Sequence, residues 1–145
     1  MPRFPLPPSG PAIPPLREHP RDRFRASERV IDLRRSAAQL RSDERIPPSG
    51  HRQIAVHRRG SVTVALFSFE AGSVLKEHRV DGLVSVHVLR GAIEVHTATE
   101  SHALHGGQLL FLAPGVPHDL HAPMPSDVLV TIHLEREGRA GAEVH

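Results

Sequence analysis

The sequence has no cysteine, no tryptophan, no tyrosine and a single lysine, Lys76. Without cysteine there are no disulfides, no thiolate metal centres and no cysteine nucleophiles, although the cellular compartment stays open. Without tryptophan and tyrosine, carbohydrate binding by ring stacking has little support. The aromatics of the second half, Phe67, Phe69 and Phe111, read as core. No apolar run approaches the length needed to cross a bilayer. Met1 to Pro8 lack the continuous apolar stretch of a secretory signal. The expectation is a cytoplasmic protein with no membrane partner.

Charge of one sign is scarce as well. The formal net charge is +2, and the sequence pI of 10.3 overstates the basicity, because with one lysine and no tyrosine or cysteine little titrates above neutral pH. Residues 1–50 carry ten arginines against six acids, whereas residues 51–145 carry eight basic residues against ten acids. A nucleic-acid surface needs a clustered basic face on a recognisable module. The slightly acidic second half argues against one, so no nucleic-acid partner is expected.

What is present falls into four stretches. Residues 1–25 hold eight of the fourteen prolines with several arginines, and read as a flexible, disordered arm. A structural reading of this arm as a docking segment for a partner assembly stands beside that one. Residues 26–50 form a lead-in: Val30-Ile31-Asp32-Leu33 reads as a short strand, then Arg34 to Glu44 as a helix with Leu33, Ala37 and Leu40 on one stripe, ended by Pro47-Pro48-Ser49-Gly50. Residues 51–135 switch to a two-residue period in about eight short strands. Val84, Val86 and Val88 alternate with Ser85 and His87, and Ile93 and Val95 alternate with Glu94 and His96. Residues 136–145 read as a frayed tail. With 145 residues there is enough chain for one core, and no strand–helix alternation points to a parallel sheet. The fold class is all-β, a sandwich or jelly roll.

Few chemistries have support. No serine sits in a nucleophile-elbow context. Gly106-Gly107 precedes no helix that would cradle a phosphate. No inward strand position carries the paired carboxylates of a glycosidase. His87, His96, His102 and His105 scatter along hairpin positions and read as surface, and alternation turns His87 away from the face of Val84 and Val86. His57, His121 and His133 reach the interior only if their strands aim them there.

The stretch from Gly72 to His118 resembles the cupin superfamily. Gly72, His78 and Gly91 stand at the spacing of its first motif; Gly107, Gly115 and His118 stand at that of its second, with Ala113 in place of the motif proline. The resemblance covers about Gln53 to Leu134. It implies a cupin-type jelly-roll barrel of two antiparallel sheets, and a pocket lined by His78, Val80, Val84, Val86 and His118. Of the ligands that metal-binding cupins use, His78 and His118 match the first and last, while Val80 stands where a histidine would be and Val84, or Ser85 with the longer spacing, where a glutamate would be. Two functions follow. The first is a small-molecule-binding domain without assured catalysis, its ligand held near His78 and His118. The second is a metal-dependent oxygenase or isomerase with His78 and His118 as ligands to one divalent transition metal (iron, manganese, nickel or zinc). A homodimer is expected in either case.

Overall fold

The computed structural model describes residues 24–45 and 47–135. The arm and tail expected over residues 1–25 and 136–145 therefore lie almost wholly outside the described residues. The described residues form a helix, α1 (Leu33–Arg41), followed by nine strands: β1 (His51–Arg59), β2 (Val62–Phe69), β3 (Val74–His78), β4 (Gly82–Arg90), β5 (Ala92–Thr97), β6 (Ser101–His105), β7 (Leu109–Leu112), β8 (His118–His121) and β9 (Ser126–Leu134). All pairings are antiparallel, in a five-stranded sheet of order β1-β2-β9-β4-β7 and a four-stranded sheet of order β3-β8-β5-β6. This is the all-β, two-sheet architecture expected. No helix among the described residues is long and apolar enough to cross a membrane.

The lead-in differs from the reading of the sequence. Val30 to Leu33 is not a strand. Asp32 is extended and caps the helix, its carboxylate accepting from the Arg35 amide at 3.0 Å. The helix stops at Arg41, and Ser42 returns its amide to the carbonyls of the last turn. The apolar stripe docks Ala37 and Leu40 against Val56, Val64, Leu66, Leu89 and Leu129 on the outer face of the five-stranded sheet. Docking supplies the stability that a nine-residue helix lacks alone. It also explains why β2 is apolar on both faces: Leu66 packs toward α1, while Phe67 and Phe69 pack inward.

The main core lies between the sheets. Val84, Val86 and Val88 of β4 face Ile93 and Val95 of β5 and Leu120 of β8, all nearly inaccessible to solvent. At the β4–β5 corner Gly91 takes φ +93°, and a Cβ there would lie 2.3 Å from the Ser126 hydroxyl oxygen and 2.5 Å from the Pro125 carbonyl. The corner admits only glycine, because backbone angle and space both refuse a side chain.

A carboxylate ties helix to barrel. Asp127, 2% exposed, accepts through Oδ2 from Arg41 of α1 and, at 2.9 Å, from Nε of Arg90 on β4. Phe111 corrects the expectation that it is core. Leu110 and Leu112 take the inward positions of β7, so alternation turns Phe111 out, 61% exposed.

Candidate functional site

The inner faces of the two sheets do not close on each other along their whole length. A cavity of about 390 Å³ remains, at the lower end of the range that holds small-molecule ligands. Its walls follow the cross-strand register. One row is Arg58, Thr63, Ile132 and Val84; the next is Ala55, Ala65, Val130 and Val86; Gln53 and Phe67 mark the far end. Thr63 and Phe67 are four residues apart on one strand, so the long dimension is roughly 13 Å. Leu75, His118 and Leu120 close it from the four-stranded sheet. The wall is mostly aliphatic, with Gln53, Arg58, Thr63 and His118 as its polar groups.

Arg58 reaches this wall because of a bulge. In β1, Ala55 pairs with Ala65 but His57 pairs with Val64, which leaves Val56 as an extra residue. The insertion reverses the strand's phase. Gln53 and Ala55 face inward before it; Arg58 faces inward after it, opposite Thr63, and His57 faces outward. His57 instead meets the Phe24 ring edge-on at 5.8 Å. The Arg58 guanidinium makes no ion pair or hydrogen bond with any described residue. Beyond the Gln53 end of the cavity, His51 lies 5.7 and 5.5 Å from the rings of Phe67 and Phe69. Burial lowers its pKa below the usual imidazole value, partly offset by a side-chain hydrogen bond with Gln53.

His118 is buried, 3% exposed. Its Nδ1 lies 3.0 Å from the Val116 carbonyl, which only accepts, so Nδ1 carries the proton. His78 stands opposite His118 in the β3–β8 ladder, just after an irregularity in the pairing. Val84 and Val86 line the cavity. Val80 packs against the core from the β3–β4 connection and is not part of the cavity wall. Strand alternation sets Asp119 and His121 of β8 on the outer face, opposite to His118 and Leu120, and likewise His133 of β9 and His87 of β4 outward.

A firm transition-metal site takes three or more converging protein donors. The described cavity wall supplies one imidazole, no carboxylate and one guanidinium, whose positive charge opposes a cation. Even with His78 added, two imidazoles fall short of such a site. The donor set fits a ligand with an anionic or hydrogen-bonding end better than it fits a metal.

A second polar constellation lies on the outer face of the four-stranded sheet, and it corrects the reading of the hairpin histidines as scattered. His96, Asp119 and His121 each offer one donor atom, all within 4.8 Å of one another. Such a cluster is invisible in sequence, because β5 and β8 become neighbours only in the folded sheet.

Among known proteins, the model of the AraC-like ligand binding domain matches residues 62–131. No curated protein matches the chain. Solved structures resemble it over most of its length. A conserved protein of unknown function from Streptococcus pyogenes is 21% identical with a TM-score of 0.61, the alignment covering 74% of this chain and 89% of that one. An RmlC-like cupin from Desulfovibrio desulfuricans is 25% identical with a TM-score of 0.56, covering 63% and 90%. A cupin superfamily protein from Desulfitobacterium hafniense is 18% identical with a TM-score of 0.57, covering 59% and 78%. With the two-sheet barrel, the motif glycines and these matches together, the chain belongs to the cupin superfamily.

Proposed function

We propose that this protein is a small-molecule-binding cupin, without catalysis, that takes a compact acid into its barrel. The observation that carries the reading is Arg58: a guanidinium that no described carboxylate meets, brought by a bulge to the edge of an aliphatic cavity. An arginine in such a place pairs with a carboxylate through charge-assisted hydrogen bonds. The aliphatic walls of Val84, Val86, Val130 and Ile132 would hold an apolar body. His118 would offer the ligand a polar contact from the opposite sheet. The cavity volume suits a ligand of roughly ten to fifteen non-hydrogen atoms. The matching ligand-binding family model supports the class of function and leaves the ligand unnamed.

The test is calorimetric titration with straight-chain and aryl-substituted carboxylic acids of six to ten carbons, each beside its primary amide. Saturable binding of an acid at one site per chain, at least tenfold tighter than its amide, is the expected result. Equal affinity for acid and amide would remove the role given to Arg58. Absence of binding across the series would remove the reading.

The second reading is a metal-dependent cupin enzyme. One observation favours it, the register that sets His78 opposite His118. It requires about one equivalent of iron, manganese, nickel or zinc in untagged protein, lost in both His78→Ala and His118→Ala. Metal content unchanged by these substitutions would exclude it.

The protein would work as a homodimer. Leu83, Leu109 and Phe111 stand exposed on the outer face of the five-stranded sheet, beyond the part that α1 covers. Apolar groups gathered on one face favour burial against a second copy. Light scattering that gave only the monomer mass at micromolar concentration would contradict this.

A further inference from the structure

We infer that the outer face of the four-stranded sheet holds a divalent transition-metal site built from His96, Asp119 and His121, separate from the barrel and independent of what the barrel binds. His96 on β5 stands directly opposite Asp119 on β8, and Glu94 opposite His121, so two neighbouring strands present a checkerboard of imidazoles and carboxylates. The rings of His96 and His121 meet edge to face, centroids 4.6 Å apart. His121 Nε2 lies 3.6 Å from Asp119 Oδ1. Ligand atoms around a four-coordinate ion with bonds of about 2.05 Å are separated by roughly 3.4 Å, so this pair needs little movement to share an ion.

The second observation is Asp119 itself. Its Oδ1 is shielded from solvent, yet no described group donates a hydrogen bond to it. A carboxylate oxygen in that state is costly unless a cation or donor meets it. His121 is the neighbour, and at 3.6 Å it is too far for a hydrogen bond. A metal between them satisfies both atoms at once.

The surroundings suit coordination. His96 Nδ1 is 2.8 Å from the Ser101 hydroxyl, which fixes the ring and directs Nε2 to the site. Glu94 Oε1 lies 3.4 Å from His96 Nε2 and supplies a second negative charge beside the ion. Two imidazole nitrogens and a carboxylate oxygen select a borderline ion such as zinc, cobalt, nickel or copper over calcium or magnesium. With three protein ligands the ion keeps at least one position for water or an incoming group.

The test uses the full chain without an affinity tag, stripped with chelator and exchanged into metal-free buffer at pH 7.5. Cobalt is titrated while its visible absorption is followed, and zinc binding is measured by calorimetry. The expected result is one saturable site. Affinity falls at least tenfold in His121→Ala and in Asp119→Asn, with His96→Gln as a further variant, and is kept in His118→Ala and His105→Ala. Circular dichroism establishes that each variant is folded. No saturable binding to the wild type, or binding that survives both His121→Ala and Asp119→Asn, would overturn the assignment. Loss in His118→Ala alone would move the site into the barrel and overturn it equally.

Discussion

Arg58 and His118 face the same cavity from opposite sheets, one from the first strand and one from the eighth. Arg58 is exposed at the cavity edge, and His118 is held by its own loop through the Val116 carbonyl. Arg58→Gln is therefore expected to weaken acid binding about 10- to 100-fold, the worth of a charge-assisted hydrogen bond, while leaving the unfolding midpoint within experimental error. Val130→Phe fills the space and abolishes binding in a protein that stays folded. Parallel calorimetry and thermal unfolding check both.

The carboxylate that joins α1 to the barrel gives a stability prediction. Asp127 is buried and receives two guanidinium groups, from Arg41 and Arg90. Asp127→Ala strands both cations and should cost about 2–3 kcal/mol in urea unfolding. Arg41→Met should cost less, because Arg90 still meets the carboxylate, and its effect should show as faster amide exchange in α1.

Gly91→Ala tests the corner between β4 and β5. The added methyl meets the Ser126 hydroxyl, which also bonds the Ala92 amide at 3.0 Å. Steric displacement and the positive φ together should cost at least about 2 kcal/mol. A variant as stable as the wild type would show that the corner is not under this constraint.

His51 should make the protein acid-sensitive. Desolvation lowers its folded pKa below the unfolded value near 6.5. Below that value the unfolded chain takes up a proton more readily than the folded one, so stability falls as pH drops from about 7 through the folded pKa. His51→Phe should flatten that part of the pH–stability curve. An unchanged curve between pH 7 and 5 would mean that other groups set it.

Much of the fold was legible in the chain. Val84, Val86 and Val88 repeat with period two and do bury one face, and the glycines from Gly72 to Gly115 stand at turns between short strands. Of the site, Val84 and His118 could be read at their motif positions and Val86 by alternation from Val84, and all three line the cavity. Arg58 could not, because simple alternation from Gln53 makes His57 the inward residue and only the bulge at Val56 exchanges the two. The cluster of His96, Asp119 and His121 needs the pairing of β5 with β8, and Asp127 needs the approach of α1 to β4 and β9. Those are tertiary facts that no local period carries. Phe111 was misread because a large aromatic in an apolar run looks like core, whereas the strand's phase belongs to Leu110 and Leu112.

On the proposed function the barrel interior, and not the surface, receives the ligand. The most direct measurement is methyl NMR of protein labelled at Val, Leu and Ile, titrated with octanoate. Saturable shifts of Val84, Val86, Val130 and Ile132 with one midpoint are expected, absent in Val130→Phe for the other three. Shifts confined to Leu83 and Leu109 on the outer face, or no saturable shift at all, would contradict it.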